Sequence, residues 1–269
     1  MALRFCSFSS GSSGNCYLVR SDDTALLVDT GISAARIMQS LVRAQTDADE
    51  IRGILITHEH SDHISGLTVT AKRLGGASVF ATGGTLEAAR QSRLQIVIPE
   101  DRKETFHAGE QFNIGDIGVK TVSLSHDAAD PAGYILRSGN SEIAIITDTG
   151  VFSEEMVSAA ADADILVIES NHDEDMLIGG HYPPFLKQRI LSEHGHLSNK
   201  AAANAIIDIM ALEKKQRCIL LAHLSRDNNT PQKAQSTALS ALAEMDYYSG
   251  RDLYLKPLLR DRMSVVFEI

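Results

Sequence analysis

Three histidines and an aspartate fall within six consecutive positions, His58-Glu59-His60-Ser61-Asp62-His63, and few folds can use such a segment. The apolar run before it, Ile51–Thr57, reads as a strand. In extended chain, residues i and i+2 point to one side, so His58 and His60 present two imidazoles to one cation. The chain then turns into a helix expected over Ile64–Leu74, closed by Gly75-Gly76, which lets Asp62 and His63 face a second cation. Imidazole and carboxylate together suit zinc, manganese or iron. The plain alternative, a polar loop ahead of a helix, does not call for this spacing of ligand types.

Three further candidates each follow an apolar strand. His126 follows Val122–Ser125, Asp148 follows Ile143–Thr147, and His223 follows Cys218–Ala222. Strand ends are where α/β folds place their chemistry, because the strand fixes position and the loop gives access. Ligand counting then assigns two divalent metal ions. His58, His60 and His126 hold the first, Asp62, His63 and His223 the second, and the Asp148 carboxylate bridges them. A hydroxide between two such cations is a nucleophile at neutral pH.

Short strands alternate with helices along the chain. Further strands are expected at Leu3–Phe8, Gln95–Ile98, Gln111–Ile114, Gly133–Arg137, Ile165–Glu169, Leu253–Lys256 and Ser264–Glu268, with a hairpin of Cys16–Arg20 and Ala25–Asp29. Helices are expected from Ser33 to about Arg43, and over about Pro184–Ser192, Asn199–Leu212 and Pro231–Glu244. Both halves begin β-rich and end in strand–helix alternation, with no linker between them. That predicts one α/β domain over residues 1–269, two packed sheets covered by helices.

Composition excludes several classes. Lys and Arg total 25 against 35 Asp and Glu, a formal charge of −10, so bulk charge does not drive coating of nucleic acid; binding would be local. No apolar run approaches the roughly 18 residues of a membrane span, and the Ser/Gly-rich start lacks a signal-like apolar stretch. Cys6, Cys16 and Cys218 are scattered and odd in number, which fits free thiols in a reducing cytoplasm.

The segments THEHSDH, SHD at Ser125–Asp127, TDTG at Thr147–Gly150 and LAHLS at Leu221–Ser225 resemble the metallo-β-lactamase fold superfamily, from Leu3 to about Ile269. The opening SSGSSGNCYLV, ESNHD at Glu169–Asp173, GHLSN at Gly195–Asn199 and LSRDNN at Leu224–Asn229 are similar to its YycJ/WalJ subfamily, close to the RNase Z branch. The resemblance implies a four-layer αββα sandwich, two metals at the sheet edge and nuclease activity, 5′-to-3′ exonucleolytic on DNA. It also implies that Glu169 and His196 are the proton-handling pair of the RNase Z branch. His196 would protonate the leaving oxygen, Glu169 would orient it, and Asp62 would complete the catalytic set. Only 21 residues (127–147) separate His126 from Asp148, too few for the tRNA-gripping arm of RNase Z. Only 74 (149–222) separate Asp148 from His223, too few for the inserted domain of RNase J-like enzymes.

Substrate contacts are expected from Ser12 and Asn15 in the glycine-serine loop, from His172, and from Ser198 and Asn199 at a helix N-terminus. Lys187, Arg189, Lys200 and Arg226 are candidates for a positive rim. Two functions stay open at this stage: a metal-dependent phosphodiesterase on DNA or RNA, and a hydrolase of a small ester, thioester or lactam on the same metals. A homodimer is one open arrangement.

Overall fold

In a computed structural model that describes residues 2–269, with Met1 outside them, two seven-stranded mixed sheets pack face to face. The first contains β1 (Arg4–Ser9), β2 (Cys16–Arg20), β3 (Ala25–Val28), β4 (Ile51–Leu55), β5 (Ser78–Thr82) and β6 (Lys103–Phe106). The second contains β7 (Gln111–Ile114), β8 (Ile117–Ser123), β9 (Ala132–Ser138), β10 (Ser141–Ile146), β11 (Ile165–Glu169), β12 (Arg217–Ala222) and β13 (Leu253–Pro257). The last strand, β14 (Phe267–Glu268), returns to pair with β1.

Residue parity produces the layers. Leu26 and Val28 of β3 join Tyr134, Ile143, Ile145, Val167 and Leu220 in the core between the sheets. Their neighbours Ala25 and Leu27 point outward, to a core completed by Ile37 and Leu41 of α1 (Ala34–Arg43) and by Leu67 and Ala71. On the second sheet, Ala144, Ile146, Leu166 and Ile168 face outward against helical Met156, Ile206, Ile209, Ala238 and Leu242. Strands buried on both faces read as unbroken apolar runs, which is why segments such as Ile165–Ile168 carry no polar alternation. Helices on both outer faces complete the expected αββα sandwich.

The sheets share a connection pattern. β3 pairs antiparallel with β2 and parallel with β4, and β10 pairs antiparallel with β9 and parallel with β11. Each sheet therefore switches from antiparallel to parallel at one strand. The sequences Asp29-Thr30-Gly31 and Asp148-Thr149-Gly150 follow those two strands. In α/β sheets, ligands bind outside the carboxyl ends of strands at such switches.

Several expectations need correction. The helix expected over Ile64–Leu74 is two pieces, α2 (Ser61–Ile64) and α3 (Leu67–Arg73). The break is at Gly66, whose N–H donates to Thr30 O at 2.8 Å and where a Cβ would lie 2.1 Å from Ile32 O. Neither Gly75 nor Gly76 adopts a positive φ, so the left-handed cap is not formed there. Gln95–Ile98 is not a strand: buried Ile96 and Ile98 alternate with exposed Val97, but the segment pins onto α3 through Val97 N–H and Thr68 Oγ1. The sheet instead ends in the charged edge strand β6. Of Ser264–Glu268 only β14 is extended in the sheet, while Ser264 Oγ accepts from Ser7 N–H. A short helix after ESNHD, α6 (Glu174–Gly179), escaped the sequence reading, although Asp173 caps it by accepting from Met176 N–H at 3.0 Å. The other helices are α4 (Gly83–Gln91), α5 (Glu154–Ala159), α7 (Pro184–Ile190), α8 (Asn199–Leu212) and α9 (Pro231–Glu244). Among the described residues no helix is long and apolar enough to cross a membrane, and all three cysteines are free.

Candidate metal centre

The seven expected ligands converge where the carboxyl ends of the central strands meet. His58, His60 and His126 bring ligand atoms within 4.8 Å of one another, as do Asp62, His63 and His223. Asp148 shares one such group with His58 and His63, so it touches both triads. The chain reaches this point through three non-glycine residues in the left-handed region, Asp29 (φ 59°), Asp148 (φ 59°) and His223 (φ 55°). That region is costly for side-chain-bearing residues, and it clusters at functional sites.

Hydrogen bonds behind the imidazoles fix which nitrogen looks inward. His63 Nδ1 donates to Asp29 Oδ2 at 2.7 Å, and His126 Nδ1 donates to Gly195 O at 3.0 Å. His58 Nδ1 lies 3.0 Å from Thr57 Oγ1, and His223 Nδ1 lies 2.9 Å from Glu169 Oε1. Each leaves Nε2 directed into the cluster, the arrangement by which metal-ligating histidines are oriented. Asp29 and Thr57 escaped the sequence reading. Asp29 accepts from Thr57 N–H (2.9 Å) and from the Thr57 hydroxyl, and so ties three elements together. The signal was present, since Asp29-Thr30-Gly31 repeats the Asp148-Thr149-Gly150 pattern after a corresponding strand.

The donor set fits divalent cations. His58 Nε2 and Asp148 Oδ2 are fully buried without a hydrogen-bond partner among the described residues. Such an atom costs about 1–3 kcal/mol unless something satisfies it. Burial holds the His58 imidazole well below its ordinary pKa, in the neutral form a metal needs. At His63 burial works the same way, but Asp148, Asp29 and Asp62 outweigh it and push that imidazole well above its usual range. His223 behaves alike, pushed up to about 10 by Asp148, Asp62 and Glu169 against the cost of burial. Asp148 goes the other way: burial would raise it, but His223 and His63 hold it well below the usual carboxylate range. Protons on these two histidines balance the buried carboxylates, and divalent cations would displace them.

Glu169 and His196 also meet. His196 Nδ1 lies 2.8 Å from Glu169 Oε1 and 3.8 Å from Asp148 Oδ1, with 15% of its side chain exposed. Glu169 is fully buried. Its Oε2 accepts from Thr149 N–H at 2.9 Å and Leu197 N–H at 3.2 Å. Burial would raise its carboxyl, but His196 and His223 bring it down to about 2. One carboxylate thus orients two imidazoles, where the sequence reading expected one.

The expected substrate contacts fare unevenly. Ser12 is exposed on the loop between β1 and β2. Asn15 is buried, accepting from Gly11 N–H at 2.8 Å with its Nδ2 at 3.0 Å from His63 Nε2, so it braces the cluster. Ser198 caps α8 and donates to Glu174 Oε1 at 2.9 Å. Asn199 is knotted to Ser170 and Asn229. Ser198 and Asn199 therefore serve the scaffold, because a helix buried at its start must satisfy its own polar groups first. His172 is buried, and neither of its ring nitrogens has a hydrogen-bond partner among the described residues.

A family model described as "Beta-lactamase superfamily domain" matches residues 24–221. The chain is 41% identical over 250 residues to the exodeoxyribonuclease YycJ of Bacillus anthracis, covering 93% of each. It is 35% identical over 269 residues to the exodeoxyribonuclease WalJ of Streptococcus pneumoniae, covering 100% of this chain and 99% of that one. Among solved structures, the metallo-β-lactamase fold protein YhfI from Bacillus subtilis superposes with a TM-score of 0.72 at 17% identity, over 100% of this chain and 99% of that one. The chain belongs to the β-lactamase superfamily and, within it, to the family of the YycJ and WalJ proteins. It is a metal-dependent hydrolase.

Proposed function

We propose that this chain is a two-metal phosphodiesterase, working as one catalytic domain in the cytoplasm and removing nucleotides from DNA in the 5′-to-3′ direction. The naming of both relatives as exodeoxyribonucleases supports the substrate class. The observation that carries the chemistry is the Glu169–His196 pair beside Asp148. Cleaving a phosphodiester requires a proton for the departing oxygen, and an imidazole is suited to deliver it near neutral pH.

His58, His60 and His126 would hold one cation and Asp62, His63 and His223 the other, with Asp148 between. Divalent cations there would acidify water and offset the charge that develops on the phosphate oxygens. The protein's own groups do the rest. Asp29, Thr57, Gly195 and Glu169 lock the imidazoles in orientation. Glu169 holds the His196 ring so that its half-open edge can reach a substrate. Glu169 balances the charge of the protonated ring, and His196 gives that proton to the leaving oxygen, returning to the neutral imidazole.

The test is digestion of 5′- and 3′-end-labelled single- and double-stranded DNA and RNA with added manganese or zinc. Mononucleotide release from the 5′ end of DNA is expected, with loss of cutting in His58→Ala and Asp148→Ala. Equal cutting by those variants would overturn the metal mechanism. Turnover of a lactam or thioester but of no nucleic acid would overturn the nuclease reading. Release from the 3′ end would overturn the polarity.

A further inference from the structure

Four cationic side chains were candidates for a phosphate-binding rim, and the structure leaves one of them free. Lys187 Nζ donates to the Ile178 and Gly180 carbonyls at 2.7 and 2.8 Å. Arg189 is paired with Asp127 at 3.0 Å, and Lys200 with Glu174 at 3.2 Å. Arg226 is exposed and, among the described residues, forms no ion pair. It lines a cavity of about 440 Å³ together with Arg260, Ser12, Ser13 and Tyr182. That is within the roughly 300–1,000 Å³ of ligand pockets.

Arg260 makes the cavity a built feature. Its Nη2 donates to Leu224 O at 3.1 Å, and Leu224 follows the expected ligand His223. Its own carbonyl accepts from Ser9 Oγ at 2.6 Å, and a Cβ on Gly11 would come within 3.2 Å of its Cγ and Nε. Arg260 Nε is buried without a hydrogen-bond partner among the described residues, and Arg260 carries no ion pair there. The same Ser9–Gly14 loop is fastened to the metal cluster, since Ser10 Oγ accepts from His223 N–H at 2.9 Å. One short loop therefore forms a wall of the cavity and braces the catalytic cluster.

We propose that this cavity is a nucleotide subsite, holding the nucleotide that flanks the scissile phosphate. The proposal rests on the phosphodiesterase reading above. Arg226 and Arg260 would take the phosphate oxygens, for which a guanidinium fork is shaped. Two carboxylates, Asp227 and Asp261, line the same cavity, and Asp227 Oδ2 accepts from the Tyr182 hydroxyl at 2.9 Å. A pocket with two guanidinia and two carboxylates suits a nucleoside phosphate better than bare phosphate, because sugar hydroxyls and base amino groups are donors that carboxylates accept. Tyr182 adds an aromatic surface of the kind on which bases stack.

The experiment separates the subsite from the chemistry. Binding of a fluorescent thymidine 10-mer is measured in chelator, where no cutting occurs, across a salt series. Arg226→Gln is expected to weaken binding about 5- to 20-fold and to lower the salt slope by about one phosphate's worth. Arg93→Gln, an exposed charge-matched control outside the site, should bind as wild type does. With metal restored, Arg226→Gln should raise the oligonucleotide KM several-fold more than the KM for bis(p-nitrophenyl) phosphate, which has no flanking nucleotide. Arg260→Lys, which keeps the charge but loses the fork, should behave as Arg226→Gln. Unchanged affinity and slope in Arg226→Gln would overturn the subsite even if the enzyme cuts DNA. Affinity that depends on Arg226 in a protein that cuts no diester would uphold the subsite and overturn the nuclease reading.

Discussion

The two Asp-Thr-Gly turns occupy corresponding places in the two sheets and do opposite work. Both aspartates have φ 59°, and both follow the strand at which pairing switches from antiparallel to parallel. Asp29 spends its carboxylate within the protein, on the Thr57 amide and hydroxyl and on His63 Nδ1. Asp148 Oδ2 has no hydrogen-bond partner among the described residues and lies 3.4 Å from His63 Nε2. The same backbone device, used twice, yields one group that orients the His63 imidazole and one group placed among the candidate ligands. What differs is the neighbour. The Asp29 turn faces Thr57 at the end of the strand beside it, whereas the Asp148 turn opens on imidazoles from both sheets.

The largest expected effect separates the two. Asp148→Asn should abolish activity, about a thousand-fold or more, with loss of bound metal measured by elemental analysis. Asp29→Asn should cost only about 10- to 100-fold in metal affinity or turnover, the usual scale for a residue behind a ligand. Equal losses would erase the division of labour. Next comes His196→Ala, expected to lower kcat by about a hundred-fold or more while bound metal stays at the wild-type level. Metal loss in that variant would move His196 into the ligand set.

The glycines of the two turns give a smaller contrast. A Cβ at Gly31 would lie 1.6 Å from Asp62 O, and one at Gly150 would lie 2.4 Å from Glu193 O. Both Ala variants should melt lower, Gly31→Ala more so and by at least about 2 kcal/mol, because the clash at residue 31 is with backbone that carries Asp62. The smallest effect is on pH. In chelator-treated protein, His223 has a folded pKa of about 10, above its ordinary 6.5. Its contribution to stability is therefore complete below about pH 6.5 and lost as pH rises toward 10. Glu169, at about 2, contributes above about pH 4.5 and loses that contribution as pH falls toward 2. Added metal should reverse the alkaline trend, because cations bind more tightly as the competing protons leave. Thermal melts with and without metal across pH check both limbs.

Some of this was legible from residue order. The spacing of His58, His60, Asp62 and His63 predicts a metal cluster because strand parity and a following turn are local geometry. His126, Asp148 and His223, the other candidates, each sit just past a strand that the sequence shows, alternating before His126 and apolar before the other two. Asp29, Arg260 and the second partner of Glu169 were not legible. Their importance lies in contacts between segments 28 to 54 residues apart or more, and no local period encodes those. Surface charge misled for the same reason. Lys187, Arg189 and Lys200 look available in sequence and are engaged once the chain folds.

The sequence by itself determined the layered α/β architecture and the donor types of the candidate site, because apolar runs and donor chemistry are properties of neighbouring residues. Only the tertiary structure decided which carboxylate orients a neighbour and which stands among the imidazoles, and which arginines are left without an ion pair among the described residues. Those outcomes depend on which strand ends the two sheets bring within a few ångströms of each other, and that is a property of their packing.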